Sequence, residues 1–281
     1  MFVVSDLHMG DRSPKDNLRQ GNRETMFDQF LAYVADQRGQ LVLLGDVFEL
    51  LRYPLDNIVA RRRDLLDRLA RMDTVYVPGN HDQDLASFIG ADDLPHPFFE
   101  RTSPAFVHQV GDTRFKFMHG HEVDPLITCG TRSISRMVGA VAYLLEFRQG
   151  TCILSNDVFT DVLLEIGEHA LELWNRLTRR MNRALRHCYN RMPAEPMTRL
   201  SRHVRTCRML ERYGEDRTKD LYDVAIVGHT HRAGTFEDWY FNSGSWTGSH
   251  RNFLRISPDG NVAVFDWSAA GPQPNHTRVA G

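Results

Sequence analysis

Five short apolar runs, each ending in residues able to bind a metal ion, constrain this chain more than any other feature. Phe2-Val3-Val4 leads to Asp6-Leu7-His8, and Leu41-Val42-Leu43-Leu44 leads to Gly45-Asp46. Val75-Tyr76-Val77 leads to Gly79-Asn80-His81-Asp82, and Phe115-Lys116-Phe117-Met118 to His119-Gly120-His121. Val224-Ala225-Ile226-Val227 leads to Gly228-His229-Thr230-His231. Runs of this length, bounded by Gly and Pro, read as buried strands. Helix-like patterns fill the gaps between the first three, over about residues 22–38 and 54–72. That alternation predicts βαβ units and a parallel-type core sheet. Ligands of open α/β sheets lie beyond the carboxyl ends of the strands, and all five polar clusters fall at such ends. The topology can therefore bring Asp6 and His231 into one site.

From Asp124 to Asp220 the alternation stops. Ile134, Val138, Val141, Leu144 and Leu145 recur at helical spacing, as do Val158, Val162, Leu163, Ile166, Ala170, Leu173, Trp174 and Leu177. Pro193 and Pro196 separate these from a last helical pattern near 197–213. After His231 the β pattern returns. Phe253-Leu254-Arg255-Ile256 and Val262-Ala263-Val264-Phe265 flank the turn signal Ser257-Pro258-Asp259-Gly260. The organisation expected is an α/β core over 1–123 and 221–267, an all-helical insert or cap over 124–220, and a flexible tail over 268–281.

The 281 residues suffice for a substantial core. No run of 18 apolar residues suggests a membrane span. Met1-Phe2-Val3-Val4 enters the first motif with no charged and apolar leader, so a cytoplasmic protein is expected. Cys129, Cys152, Cys188 and Cys207 form no Cys-x-x-Cys pair and read as reduced thiols. The net charge of −2 excludes a global attraction to nucleic acid or membrane, but the charge is unevenly spread. Residues 176–217 hold twelve Arg, four acids and no Lys, a local surplus of eight positive charges. Arg favours bidentate phosphate contact. The stretch therefore points to substrate phosphate or to peripheral contact with an anionic membrane at its inner face. It lacks the interleaved aromatics of nucleic-acid binding.

Asp6, His8, Asp46, Asn80, His119, His229 and His231 offer oxygen and imidazole donors without a thiol. Such a set suits Mn²⁺ first, with Fe or Zn²⁺ as alternatives. Seven donors exceed the needs of one tetrahedral ion, and Asp46, at the centre of the set, is the natural bridge between two. Two ions about 3.5–4 Å apart can clamp a phosphoryl group and activate water. His8 follows Asp6 by two residues and His231 follows His229 by two, so each pair can aim at one place. An imidazole such as His81, with a pKa near neutrality, can donate a proton to a departing alkoxide. His121 competes with His119 as a ligand; His119 directly follows the strand. Glu49, His121 and Arg232 flank the motifs as candidate substrate contacts.

In this order, the motifs resemble the calcineurin-like metallophosphoesterase superfamily, from the first strand to about residue 245 with the insert excepted. The resemblance implies a four-layer αββα sandwich and a binuclear metal centre. It implies that Asp6, His8, Asp46 and one of His229 and His231 hold one ion. Asp46, Asn80, His119 and the other member of that pair hold the second. It implies attack on phosphorus by a metal-bridging hydroxide, with His81 supporting the leaving group and Asp82 orienting His81. Some members of the fold are non-catalytic scaffold or binding subunits; these tend to lose ligands or the catalytic His, both present here. Gly45-Asp46-Val47-Phe48-Glu49 and Gly228-His229-Thr230-His231-Arg232 look like the UDP-2,3-diacylglucosamine pyrophosphohydrolase branch, which also carries a helical insert. That branch has Asn-Arg-Asp where this chain has Asn80-His81-Asp82, and His-Gly-Asp where it has His119-Gly120-His121. A phosphorylated small-molecule or lipid-linked substrate is the resulting expectation.

Overall fold

The computed structural model describes residues 1–124 and 199–279. The first sheet runs in the order β11-β10-β9-β1-β2-β3. Its strands are β1 (Phe2–Val4), β2 (Leu41–Leu44), β3 (Thr74–Val77), β9 (Asn252–Ile256), β10 (Val262–Ser268) and β11 (Gly271–Pro274). β1, β2 and β3 are parallel, with Val3 opposite Val42 and Val42 opposite Val75. β9, β10 and β11 continue the sheet antiparallel. The second sheet runs β4-β5-β6-β8-β7, from β4 (Phe106–Val110), β5 (Thr113–Phe117), β6 (Val224–Val227), β7 (Gly234–Phe236) and β8 (Tyr240–Asn242). The carboxyl ends of β1, β2, β3, β5 and β6 carry the five motifs.

Alternation along the strands builds the layers. Val3, Val42, Leu44 and Val77 point inward and meet Phe115, Phe117, Val224, Ile226 and Phe241 of the second sheet. Their neighbours Phe2, Val4, Leu41, Leu43 and Tyr76 point outward and meet the helices. Ala225, Val227 and Tyr240 face the other way from Ile226 and pack on Met209, Leu210 and Tyr213. Three apolar interfaces separate four layers, α/β/β/α, as a period-two pattern in facing sheets requires.

Helix α1 (Arg23–Asp36) presents Met26, Phe27, Phe30, Leu31 and Val34 in one buried stripe against the first sheet. The single helix expected over 54–72 is instead two, α2 (Leu55–Arg61) and α3 (Arg63–Arg71). Arg62 breaks it, with φ −121° and ψ 23°. Its guanidinium is wholly buried, donating from Nε to Gly10 O at 2.7 Å, from Nη1 to Glu24 at 3.1 Å and from Nη2 to Asp16. A buried charge needs such partners, and the helix yields to supply them. The last described helix, α4 (Arg199–Thr218), covers the helical pattern expected near 197–213. The other helices expected in the insert lie outside the described residues, and among the described residues no helix is long and apolar enough to cross a membrane.

One expectation is corrected. The tail from Ser268 is not loose up to Val279. β11 pairs with β10, placing Gln273 opposite Asp266. Beyond it, Thr235 N donates to Thr277 O at 3.0 Å and Val279 N donates to Thr235 O at 2.8 Å. Small polar residues read as disorder by composition, but the exposed edges of β10 and β7 offer backbone partners that composition does not show.

Candidate metal centre

The loops that follow the strands are zipped to one another by main-chain hydrogen bonds. Asp6 N donates to Gly45 O at 3.0 Å, His8 N to Asp46 O at 2.9 Å and Met9 N to Val47 O at 2.9 Å. Side chains extend the lacing. His229 N donates to Asp6 Oδ2 at 3.0 Å, and His81 N to Asp46 Oδ1 at 2.8 Å. Asp6, His8, Asp46, His229 and His231 all have left-handed φ, between 46° and 67°. Each such residue costs about 1–3 kcal/mol and persists only where its surroundings over-determine it. Here the strain turns the side chains from the strand ends toward a common point. Two glycines leave room for them. A Cβ on Gly45 would meet His119 Nδ1 at 2.2 Å, and one on Gly228 would meet Asp6 Oδ2 at 2.8 Å.

Among the described residues three donor groups could hold an ion: Asp6, His8 and His231; His8, Glu49 and His81; and Asp46, His119 and His229. Within each group the donor atoms lie within 4.8 Å of one another. His8 Nε2 is 3.9 Å from Asp46 Oδ2 and 4.0 Å from Asp6 Oδ1, and His119 Nε2 is 3.3 Å from Asp46 Oδ2. Asp46 thus faces both sides of the cluster. The imidazoles are oriented from behind. His119 Nδ1 is 2.8 Å from Leu44 O, His8 Nδ1 is 2.8 Å from Glu49 Oε2, and His231 Nδ1 is 3.4 Å from Thr247 Oγ1. Since a carbonyl only accepts, His119 Nδ1 carries hydrogen and Nε2 is left toward the carboxylates.

The residues fit a cation by two tests. First, Asp6 Oδ1, Asn80 Oδ1 and His119 Nε2 are buried without a hydrogen-bond partner, and two of them lie within the cluster, Asp6 Oδ1 at 3.1 Å from His231 Nε2 and His119 Nε2 at 3.3 Å from Asp46 Oδ2. Orphaned polar atoms are rare in folded interiors, and here His119 Nε2 and Asp6 Oδ1 lie 4.0 Å apart. Second, the electrostatics ask for positive charge. Burial alone would push carboxylates up and imidazoles down. Burial does oppose ionisation of Asp6, yet His231 and His119 outweigh it and bring its pKa down to about 2. His119 is disfavoured as a cation by burial but raised to about 10 by Asp46 and Asp6. His81, likewise opposed by burial, is raised to about 9 by Glu49 and Asp46. Protons supply the positive charge that metal ions would displace.

Two residues hold positions other than those the sequence suggested. Glu49, a candidate substrate contact by sequence, lies against His8 and His81. It is buried, and its carboxylate spans His8 and His81, lying 3.0 Å from His81 Nδ1 through each oxygen. Asp82 does not touch the His81 ring. Its carboxylate accepts from Asp46 N at 3.3 Å, Val47 N at 2.7 Å, Phe48 N at 3.0 Å and Gly79 N at 2.6 Å. It pins the Gly45 loop to the Gly79 loop, and burial, then the Asp46 charge, raises its pKa to about 6. The reason is geometric. Successive side chains diverge at a strand end, so Asp82 turns under the site while His81 faces out.

The other candidates separate as well. His81 and His231 are the cluster's most exposed imidazoles, each still largely covered, at 24% and 20%. His121 is in none of the three donor groups, its ring 5.5 Å from that of His119. Burial, ahead of its charged neighbours, lowers its pKa to about 4. Arg232 is exposed beside His231. Sequence reasoning missed Asp124, whose Oδ2 lies 2.6 Å from His229 Nε2. Its sole signal was its place five residues after His119.

A family model of calcineurin-like phosphoesterases matches residues 1–233, the span that includes all five motifs. No curated protein matches the chain. Among solved structures the chain is similar to vacuolar protein sorting 29 from Cryptosporidium parvum, at 16% identity and a TM-score of 0.40, over 97% of this chain and 94% of that one. It is also similar to a predicted phosphoesterase from Streptococcus pneumoniae, at 11% identity and a TM-score of 0.37, over 98% of this chain and 92% of that one. At such scores neither likeness bears on activity. The family match covers most of the chain, and on that ground the chain belongs to the calcineurin-like phosphoesterase family, a hydrolase of phosphoric esters.

Proposed function

We propose that this hydrolase works with two divalent ions, Mn²⁺ first among them, held by Asp6, His8, Asp46, Asn80, His119, His229 and His231. One observation carries the reading: carboxylate and imidazole donors from the ends of β1, β2, β5 and β6 converge within ligand distance of one another, and Asp6 Oδ1 and His119 Nε2 among them are buried without a hydrogen-bond partner. Bound ions would supply Lewis-acid charge to a phosphoryl group and lower the pKa of water.

The protein's own groups do the rest. Glu49 holds His81 through Nδ1, which leaves Nε2 of this partly exposed ring to give a proton to the leaving oxygen. Asp82 keeps the two loops that carry Asp46 and His81 in register. Asp46 accepts the main-chain hydrogen of His81, tying the acid to the ligand set. The substrate is a phosphoester or pyrophosphate on a nucleotide- or lipid-linked molecule, with His121 and Arg232 at its edge. The Arg-rich stretch 176–217 meets its phosphates or an anionic membrane surface on the cytoplasmic side.

The test is a substrate panel given to metal-stripped protein reloaded with Mn²⁺. It holds an aryl phosphomonoester, an aryl phosphodiester, an acylated UDP-sugar and single-stranded DNA. Mn²⁺-dependent cleavage of the UDP-sugar or a small ester is expected. Exclusive cleavage of DNA would overturn the substrate reading. Full retention of two ions without any turnover would favour a scaffold.

A further inference from the structure

A short turn brings a carboxylate from outside the five motifs against the back of the candidate metal centre. Val123 N donates to Gly120 O at 3.4 Å and Asp124 N to His121 O at 3.3 Å, so the chain folds back directly after His119. Gly120 N donates to Glu122 Oε2 at 2.7 Å inside the same turn. The turn is tightly packed. Gly120 has φ +119°, and a Cβ there would meet Tyr213 Oη at 3.1 Å and His229 Cβ at 3.3 Å. Asp124 is wholly buried, and its Oδ2 reaches His229 Nε2 at 2.6 Å.

We propose that Asp124 is the positioning residue for His229, fixing which ring nitrogen serves the ion shared with Asp46 and His119; the inference rests on the two-ion reading above. An ionised carboxylate only accepts, so His229 Nε2 carries the hydrogen and Nδ1 presents its lone pair. The arrangement repeats what backs the other ligands, Leu44 O behind His119 and Glu49 behind His8. Such outer partners fix ring orientation and raise ligand basicity, and losing one costs 10–100-fold in metal affinity. Asp124 is also the first residue of the segment expected to form the helical insert. The root of that insert and the metal centre therefore share one hydrogen bond.

The experiment is a calorimetric Mn²⁺ titration of stripped wild-type protein and of Asp124→Asn, with Asp124→Ala as the second variant. The thermal midpoint of each stripped protein is recorded in parallel. Wild type is expected to bind two ions. Asp124→Asn is expected to keep one site unchanged and weaken the other by about 10–100-fold, with its stripped midpoint close to wild type. Two unaltered sites in both variants would overturn the role of Asp124 alone. Loss of both ions with a lowered stripped midpoint would also overturn it, marking Asp124 as purely structural. A wild-type protein that binds no Mn²⁺ would remove the two-ion reading and this inference together.

Discussion

At the scale of single residues, the division of labour around Asp46 separates metal binding from proton transfer. Asp46 faces His8, His81 and His119, whereas His81 sits at the exposed edge. Asp46→Asn is expected to lower Mn²⁺ content and turnover together, measured by elemental analysis and initial rates. His81→Ala is expected to keep its metal and lose about 10²–10⁴-fold in kcat. Glu49 touches both His8 and His81. Glu49→Ala is therefore expected to show both defects, weaker metal binding and a lower kcat; a kcat equal to wild type would contradict its role behind His81. The residue types and their order were legible in the sequence because each motif follows its own apolar run. The partners behind the rings were not. Glu49 stood out only as a candidate substrate contact and Asp124 not at all; their place behind imidazoles emerged when the fold set them within 3.0 Å and 2.6 Å of rings from distant segments.

At the scale of elements, the strand ends do the positioning, and their strain is stored in left-handed residues that periodicity cannot reveal. Gly45 is the sharpest case, at φ +84° with His119 pressed against it. Gly45→Ala is expected to destabilise the protein by about 1–3 kcal/mol in a denaturant titration and to weaken metal binding by displacing His119. A midpoint and metal content equal to wild type would show that the close approach is not needed. The five motif-bearing strands, β9, β10 and helix α1 were readable from apolar spacing, whereas β4 and β7 were not. The break between α2 and α3 was not, because it depends on Arg62 reaching Gly10, Asp16 and Glu24, residues some forty to fifty positions earlier in the chain. The strand β11 was hidden for a similar reason: its pairing is with a neighbouring edge, not within its own composition.

At the scale of the whole molecule, two facing sheets hold the five loops, and the buried charge they gather couples stability to metal. In stripped protein, His119 has a folded pKa of about 10, above its unfolded value of about 6.5. Its stabilising contribution is complete below about 6.5 and fades as pH rises through about 10. Asp6, at about 2 when folded, contributes above its unfolded value of about 3.9 and loses that contribution only as pH falls through about 2. Stripped protein is thus expected to lose compensation on the alkaline side, while bound ions maintain it. The difference in Tm between Mn²⁺-loaded and stripped protein should widen from about pH 6 to about pH 9 in thermal melts. The most direct measurement is a Mn²⁺ titration of the stripped wild-type protein with phosphoester hydrolysis followed in the same samples. Two ions per chain, with activity appearing in step with occupancy, is the expected result. Undiminished hydrolysis by protein stripped of all metal would contradict the two-ion centre.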